Sequence, residues 1–334
     1  MWTIFIAILA SAVFLSACGS DDSNGTAGSS DQGLKVRVIT STPTATGSWD
    51  KPHYDQYSAA AKELGWNLEV AEAVPYGEAD QVLSRWGDEK VDIVFSTDNG
   101  FEDNFLAAAE KYPDTDWAMM TALSTTKDLP NVAAYLFDWC EFGFLHGVAG
   151  GLASKGTVGL DASIHIIPTT QWVLGAEHGI KTANPDAKVI TDYTEDVLDP
   201  RKAQELASAL IERGADVILP VVQSGNSAQI AARAQADGAL YVGAYIDESE
   251  YAPKATVTSV LFNLENAYRT VGEQREAGNF KAGIFVQGAE DGVFDFAPFG
   301  EGFTDLENPA RELLEKLKSG EITIPKKCED AATG

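Results

Sequence analysis

The sequence predicts an α/β protein of two similar lobes, each built on a parallel sheet. Three observations predict it. Short apolar runs of strand length alternate with helical stretches of about 10–15 residues, the rhythm of βαβ units. The rhythm restarts near Gly156. Two of the strands, at 91–95 and 216–219, also share a plan: each is entered through an Asp and left through a polar loop.

In order along the chain, residues 35–39 alternate with period two and read as a strand, and 53–64 read as a helix closed by Gly65. A second strand is expected at 66–70, a helix at 79–86 and a third strand at 91–95, followed by a loop through Gly100. Residues 105–111 read as helix and 117–120 as the next strand. The run WCEFGFLHGVAGG, from Trp139, reads as a helix of small residues. The second cycle opens with a strand at 156–160 and a helix at 170–184 stopped by Pro185. A strand at 187–190 and a helix at 202–213 capped by Gly214 follow. A strand at 215–219, a helix at 226–237 and a strand at 238–244 complete it. Parallel-sheet lobes carry their ligand crevices at the C-terminal ends of the strands, so two facing lobes share one cleft that can close over a solute.

The first 17 residues, MWTIFIAILASAVFLSA, are apolar and uncharged and read as an export segment. Leu15-Ser16-Ala17-Cys18-Gly19 resembles a bacterial lipobox, which implies lipidation of Cys18 and anchorage to the outer face of the cell membrane, or a periplasmic place. The alternatives are an ordinary signal peptide with a chance cysteine or an N-terminal membrane helix, and no basic residue precedes the apolar run. Residues 18–33 are rich in Gly, Ser and Asp and read as a flexible tether, with a reach of roughly 20 Å.

The formal net charge of -26 argues against nucleic acid and against adhesion to anionic lipid heads as partners. Cys140 and Cys328 remain once Cys18 is set aside; in an oxidising compartment they can form one disulfide, or stay as two thiols.

From Gly156 onward the residues resemble the basic membrane protein family, the purine-nucleoside-receptor type of ABC-importer binding lipoprotein. The match is carried by 156–160, by Gly175, Gly179 and Asn184-Pro185, and by Asp199-Pro200 with 206–218. Tyr241-Val242-Gly243, Ala252-Pro253 and Thr258-Ser259 continue it. So do Asp291-Gly292-Val293 and Ala297-Pro298-Phe299, and in the first half Asp92-Ile93-Val94-Phe95 with Phe101. The resemblance implies a type I periplasmic-binding-protein fold with Rossmann-like lobes joined by a three-strand hinge. Lobe 1 would span 34–140 plus about 258–325, and lobe 2 about 141–257. It also implies a solute, usually a purine nucleoside, passed to an ABC permease and its ATPase.

A nucleobase needs apolar faces above and below and polar groups at its edge. Trp49 and Asp50 follow the first strand and are placed to stack on a base and to accept from its edge; alternatively Trp49 packs its loop and Asp50 caps a helix. Asp98, Asn99 and Phe101 lie in or beside the loop after the third strand, which either touches a solute or is a plain turn; Ile167 and Trp172 follow the strand that opens lobe 2, where Trp172 either stacks or is helix core. Gln223 ends the strand at 215–219, and Phe142 follows Trp139 and Cys140 near a crossover, where aromatics either wall the cleft or pack the hinge. Two departures from the family pattern stand out. Tyr245 lies near an expected acid, with Asp247 in the position of the second, and Phe262 takes the place of a sugar-gripping lysine. Such a site suits a bare ring better than a ribose.

No HExxH, no metal-spaced cluster and no GxSxG occurs, and Cys140 near His146 reads as helix interior, so neither an enzyme nor a cofactor is expected. The alternatives to import are a surface receptor or adhesin without a transport role and, behind it, a hydrolase.

Overall fold

The computed structural model describes residues 33–45, 49–197, 199–223 and 225–330. The export segment and Cys18 lie outside the described residues. The first half contains β1 (Lys35–Ile39), α1 (Asp50–Leu64), β2 (Asn67–Ala71), α2 (Ala79–Asp88), β3 (Ile93–Ser96), α3 (Glu102–Lys111), β4 (Asp116–Met119) and β5 (Val132–Phe137). The second contains α4 (Trp139–Ala153), β6 (Thr157–Ala162), α5 (Ile167–Ala183), β7 (Lys188–Tyr193), α6 (Pro200–Glu212), β8 (Val217–Val221), α7 (Ser227–Asp237), β9 (Leu240–Tyr245) and β10 (Thr256–Phe262). The chain then returns to the first half for α8 (Glu265–Glu276) and β11 (Gly283–Gln287). It ends in the second half with β12 (Phe294–Phe296), α9 (Glu307–Lys318) and α10 (Lys326–Asp330).

Each half carries a six-stranded sheet, ordered β11-β5-β4-β3-β1-β2 and β12-β10-β9-β8-β6-β7. All pairs are parallel except β10 with β12. The local reasons are visible in sequence. Gly65 and Gly238 close α1 and α7 in the left-handed region, at φ of 69° and 80°. Asp199 accepts from Arg201 N–H at the start of α6, with Pro200 at its first position. The central strands are buried on both faces, as parallel strands between helix layers must be.

The expected division of the chain differs from the sheets in one place. The stretch from about Thr258 to 325 was assigned to the first half, but β10 and β12 hydrogen-bond into the second sheet, and α9 packs on α4. Only α8 and β11 go back to the first half. The cause is strand pairing: β10 lies parallel to β9 from Thr256 to Leu261, with one register shift between Thr256 and Thr258, a pairing that composition alone does not reveal.

The chain crosses between the halves three times, at Asp138, after Phe262 and between Gln287 and Phe294. The crossings are tied together and latched. Asp138 N–H donates to Gln287 O at 3.0 Å, and Asn263 N–H to Val293 O at 2.6 Å. Gln56 of α1 accepts from Leu264 N–H and Glu265 N–H, supplying the cap that α8 lacks, and donates to Phe262 O. Glu141 of α4 accepts from Ala289 N–H at 2.7 Å. A disulfide joins Cys140 to Cys328 with their Cα atoms 6.1 Å apart, fastening α10 to the start of α4. It closes a loop of 188 residues, for which the loss of unfolded-state entropy stabilises the fold by about 2–5 kcal/mol.

Candidate functional site

The loops at the C-terminal ends of the strands bring side chains of both halves together. Trp49, directly ahead of α1, donates from its indole N–H to Thr97 O at 2.7 Å, which fixes it beside the end of β3. It is half-buried. Its ring meets Trp139 of α4 at 5.9 Å, Tyr245 at the end of β9 at 5.7 Å and Phe262 at the end of β10 at 5.8 Å. Trp139 lies nearly parallel to Trp172 of α5 (6.0 Å, 12°) on one hand and to Phe262 (5.8 Å, 17°) on the other. Phe262 in turn parallels Phe294 (5.8 Å, 19°). Phe142 parallels Tyr245 at 5.6 Å and crosses Trp172 edge-on at 4.7 Å. Phe142, Trp172, Tyr245 and Phe262 are buried, while Trp49 and Trp139 keep part of their surface open.

Two backbone and side-chain details hold this cluster. Tyr245 has φ of 71°, the left-handed region, where a bulky residue costs about 1–3 kcal/mol and persists only when its surroundings fix it. Trp172 donates from its indole N–H to Nδ1 of His146 at 3.0 Å, so Nε2 of His146 carries the proton and donates to Val242 O at 2.9 Å. Complete burial pushes His146 down to about 4, so it is neutral.

The polar residues expected at the site are mostly engaged elsewhere. The Asp50 carboxylate accepts from Thr42 N–H (2.9 Å), Thr42 Oγ (2.5 Å) and Thr97 Oγ (2.5 Å) and is fully buried. Burial raises its pKa, and the threonine donors work against that rise. It ties the loop after β1 to the loop after β3, and α1 begins at Asp50 itself. Asp98 accepts from Gly100 N–H at 2.7 Å, from Tyr76 Oη at 3.0 Å and from Ser41 Oγ. Gln223 is buried, donating to Asp161 at 2.8 Å and accepting from Asn226 at 3.0 Å. Phe101 packs with Tyr76 at 5.2 Å in the core beneath α2 and α3, away from the aromatic cluster. Asn99 and Ile167 are exposed. Asp247 is exposed too, accepts from Ser249 N–H at 3.0 Å and lines a recess of about 480 Å³ with Gln56, Tyr245, Phe262 and Asn263.

Sequence reasoning thus brought Trp49, Phe142, Trp172, Tyr245 and Phe262 to one place. It did not find His53, whose ring lies 4.7 Å from Trp49, nor Phe294. The i, i+4 spacing of Trp49 and His53 was a signal for the former, since such residues share one face of a helix. Nothing marked Phe294, which reaches the cluster through a strand pairing. The Cys140–His146 pair offers no nucleophile: the sulfur is in the disulfide and both ring nitrogens are bonded. Among the described residues no group of three His, Cys, Asp or Glu is placed to hold a metal, and no helix is long and apolar enough to cross a membrane.

Two parallel-sheet halves, crossed three times and meeting at their strand ends, make up a fold of the periplasmic-binding-protein type. The family model for PnrA-like ABC transporter substrate-binding proteins, Bmp, matches residues 34–327, and the chain belongs to that family. It is 26% identical over 318 residues to a purine-binding protein of Brucella abortus, covering 92% of this chain and 88% of that one. It is 30% identical over 200 residues to basic membrane protein B of Borreliella burgdorferi, covering 58% and 57%. The solved solute-binding protein of an ABC transporter system from Conexibacter woesei superposes with a TM-score of 0.76 at 22% identity, over 87% of this chain and 98% of that chain.

Proposed function

We propose that this protein captures a purine nucleobase, or a related small uncharged aromatic heterocycle, between its two halves and delivers it to an ABC permease. In this reading a lipid on Cys18 holds it at the outer face of the membrane. The observation that carries the reading is the meeting of Trp49 with Trp139, Tyr245 and Phe262 across the strand ends. Flat rings from both halves, two of them with open surface, favour a flat apolar solute. Phe262 bears on the choice between base and nucleoside. It is buried and stacked on Trp139, where a lysine would hold a ribose by the resemblance described above. A ribose placed there would leave its hydroxyls without partners, at about 1–3 kcal/mol each. The purine-binding name of the Brucella relative supports the same ligand class.

Calorimetric titration tests the reading. Adenine, hypoxanthine and xanthine are expected to bind more tightly than adenosine, inosine and guanosine. Tighter binding of the nucleosides, or binding of sugars alone, refutes it. Mass spectrometry of the small molecule that co-purifies with the protein gives an independent answer.

A further inference from the structure

His53 is a buried titratable side chain beside the aromatic cluster with one ring nitrogen that has no hydrogen-bond partner. It sits in the first turn of α1, at the ligand end of the first sheet, and is fully buried. Trp49 lies 4.7 Å from its ring and Phe262 6.4 Å, both members of the cluster. Its Nδ1 is 2.7 Å from the hydroxyl of Tyr268 on α8, and its Nε2 has no hydrogen-bond partner. A buried polar atom left so costs about 1–3 kcal/mol, which native proteins seldom carry without a use.

The tautomer follows from the partner. The Tyr268 hydroxyl is also buried, and Nδ1 is the acceptor within its reach. With Tyr268 Oη–H donating to Nδ1, the ring proton resides on Nε2, and His53 presents a donor. Burial pushes its pKa down to about 3, so the ring stays neutral at any physiological pH. The two imidazole nitrogens diverge, so Nε2 faces away from Tyr268.

We propose that the Nε2–H of His53 is a recognition donor of the binding site, placed to give a hydrogen bond to a ring nitrogen of a planar, uncharged heterocycle. The proposal rests on the reading of the site given above and adds to it the edge chemistry. Stacking rings alone accept any flat molecule. A buried, pre-oriented donor rejects one that lacks the matching acceptor, because the N–H then stays unpaired. A base protonated at that ring nitrogen is rejected for the same reason.

The test uses the purified protein in detergent, as wild type and as His53→Phe, with adenine, hypoxanthine and the 1-, 3- and 7-deaza analogues of each, read by calorimetry. One deaza analogue is expected to bind the wild type about tenfold more weakly than its parent, the equivalent of one neutral buried hydrogen bond. His53→Phe is expected to bind that analogue and its parent equally. Should His53→Phe discriminate among the analogues as the wild type does, the inference is overturned and the aromatic site stands. Should the wild type bind none of these purines, the reading of the site fails and the inference with it. A second measurement does not depend on the variant folding. In ¹⁵N-labelled wild type, the Nε2–H resonance of His53 should shift on adding adenine, and an unmoved resonance under saturating adenine overturns the proposal.

Discussion

Replacing Gly147 by alanine should destabilise the protein by about 3 kcal/mol, although the same change at an ordinary helix position stabilises by about 0.5–1 kcal/mol. The reason is the contact of α4 with α5. Gly143 and Gly147 of α4 face the backbone of α5 at Trp172 and Ala176, and Gly175 and Gly179 of α5 face α4 at Cys140 and Phe144. A methyl built on Gly147 would lie 2.1 Å from Ala176 O, where about 3.3 Å is the shortest comfortable approach. The obstacle is backbone in mid-helix, so the two helices must part by about an ångström. A gap of 0.5–1 Å already forfeits a quarter to a half of each dispersion contact along the seam, and overpacking at one site costs 1–3 kcal/mol by itself. These losses outweigh the propensity gain. Urea unfolding should show a lowered midpoint with an unchanged slope. Near-UV circular dichroism should change as well, since the seam sets the 6.0 Å spacing of Trp139 and Trp172. Gly156→Ala is the control: an added methyl there meets nothing within 4 Å, and its effect should stay within about 0.5 kcal/mol. A Gly147→Ala protein as stable as the wild type would refute the close-packing account.

Two further outcomes follow from the same coordinates and from the reading of the leader. Glu248 is buried, accepts from Tyr241 Oη at 2.6 Å and from Ala244 N–H at 3.2 Å, and is pushed up from 4.5 to about 7 by burial. The fold therefore prefers the protonated acid: its stability is fully present below about pH 4.5 and falls as pH rises through about 7, by on the order of 3 kcal/mol. Glu248→Gln keeps the acceptor and removes the titration, so unfolding free energies measured from pH 5 to 8 should lose this downward slope; an unaltered slope would show that another group carries it. Cys18→Ala should release soluble protein that binds its solute with unchanged affinity, as read by cell fractionation and calorimetry; loss of binding in the released protein would contradict the separation of anchor from body.

What the sequence made legible followed from local rules. A period-two run marked β1, short apolar runs entered through an Asp marked β3 and β8, and Gly65 marked the end of α1. Helix starts were less legible. α1 begins at Asp50, not at His53, because the Asp50 carboxylate is used by Thr42 and Thr97 and leaves no side-chain cap to mark the boundary. The path of the last third was legible only in outline. β11 and β12 lie in different sheets although they are close in sequence, and a 3-residue strand such as β12 carries no pattern of its own. The clustering of the aromatics follows from their size, since rings of that area are costly to leave exposed. The engagement of the polar residues was not legible: Asp50, Asp98 and Gln223 bind neighbouring loops through partners distant in sequence.

The position of the aromatic cluster explains how a two-part site can be selective. Phe262 immediately precedes the crossing latched by Gln56, and Trp139 immediately follows the crossing at Asp138. Any rotation of one half against the other about these crossings moves the nearby rings through a short arc and the outer loops through a long one. Asn99 and Ile167 are exposed away from the aromatic cluster, whereas Asp247 lines the recess beside the crossing with Gln56 and Phe262. His53, on the first turn of α1, is three residues from Gln56 and shares its short radius. The groups that would discriminate one ring from another thus sit where the geometry varies least. Under the proposed function, selectivity would rest on the rings beside the crossings, and Trp49 joins the two halves there. It is anchored to Thr97 O in the first half and packed against Tyr245 and Phe262 of the second.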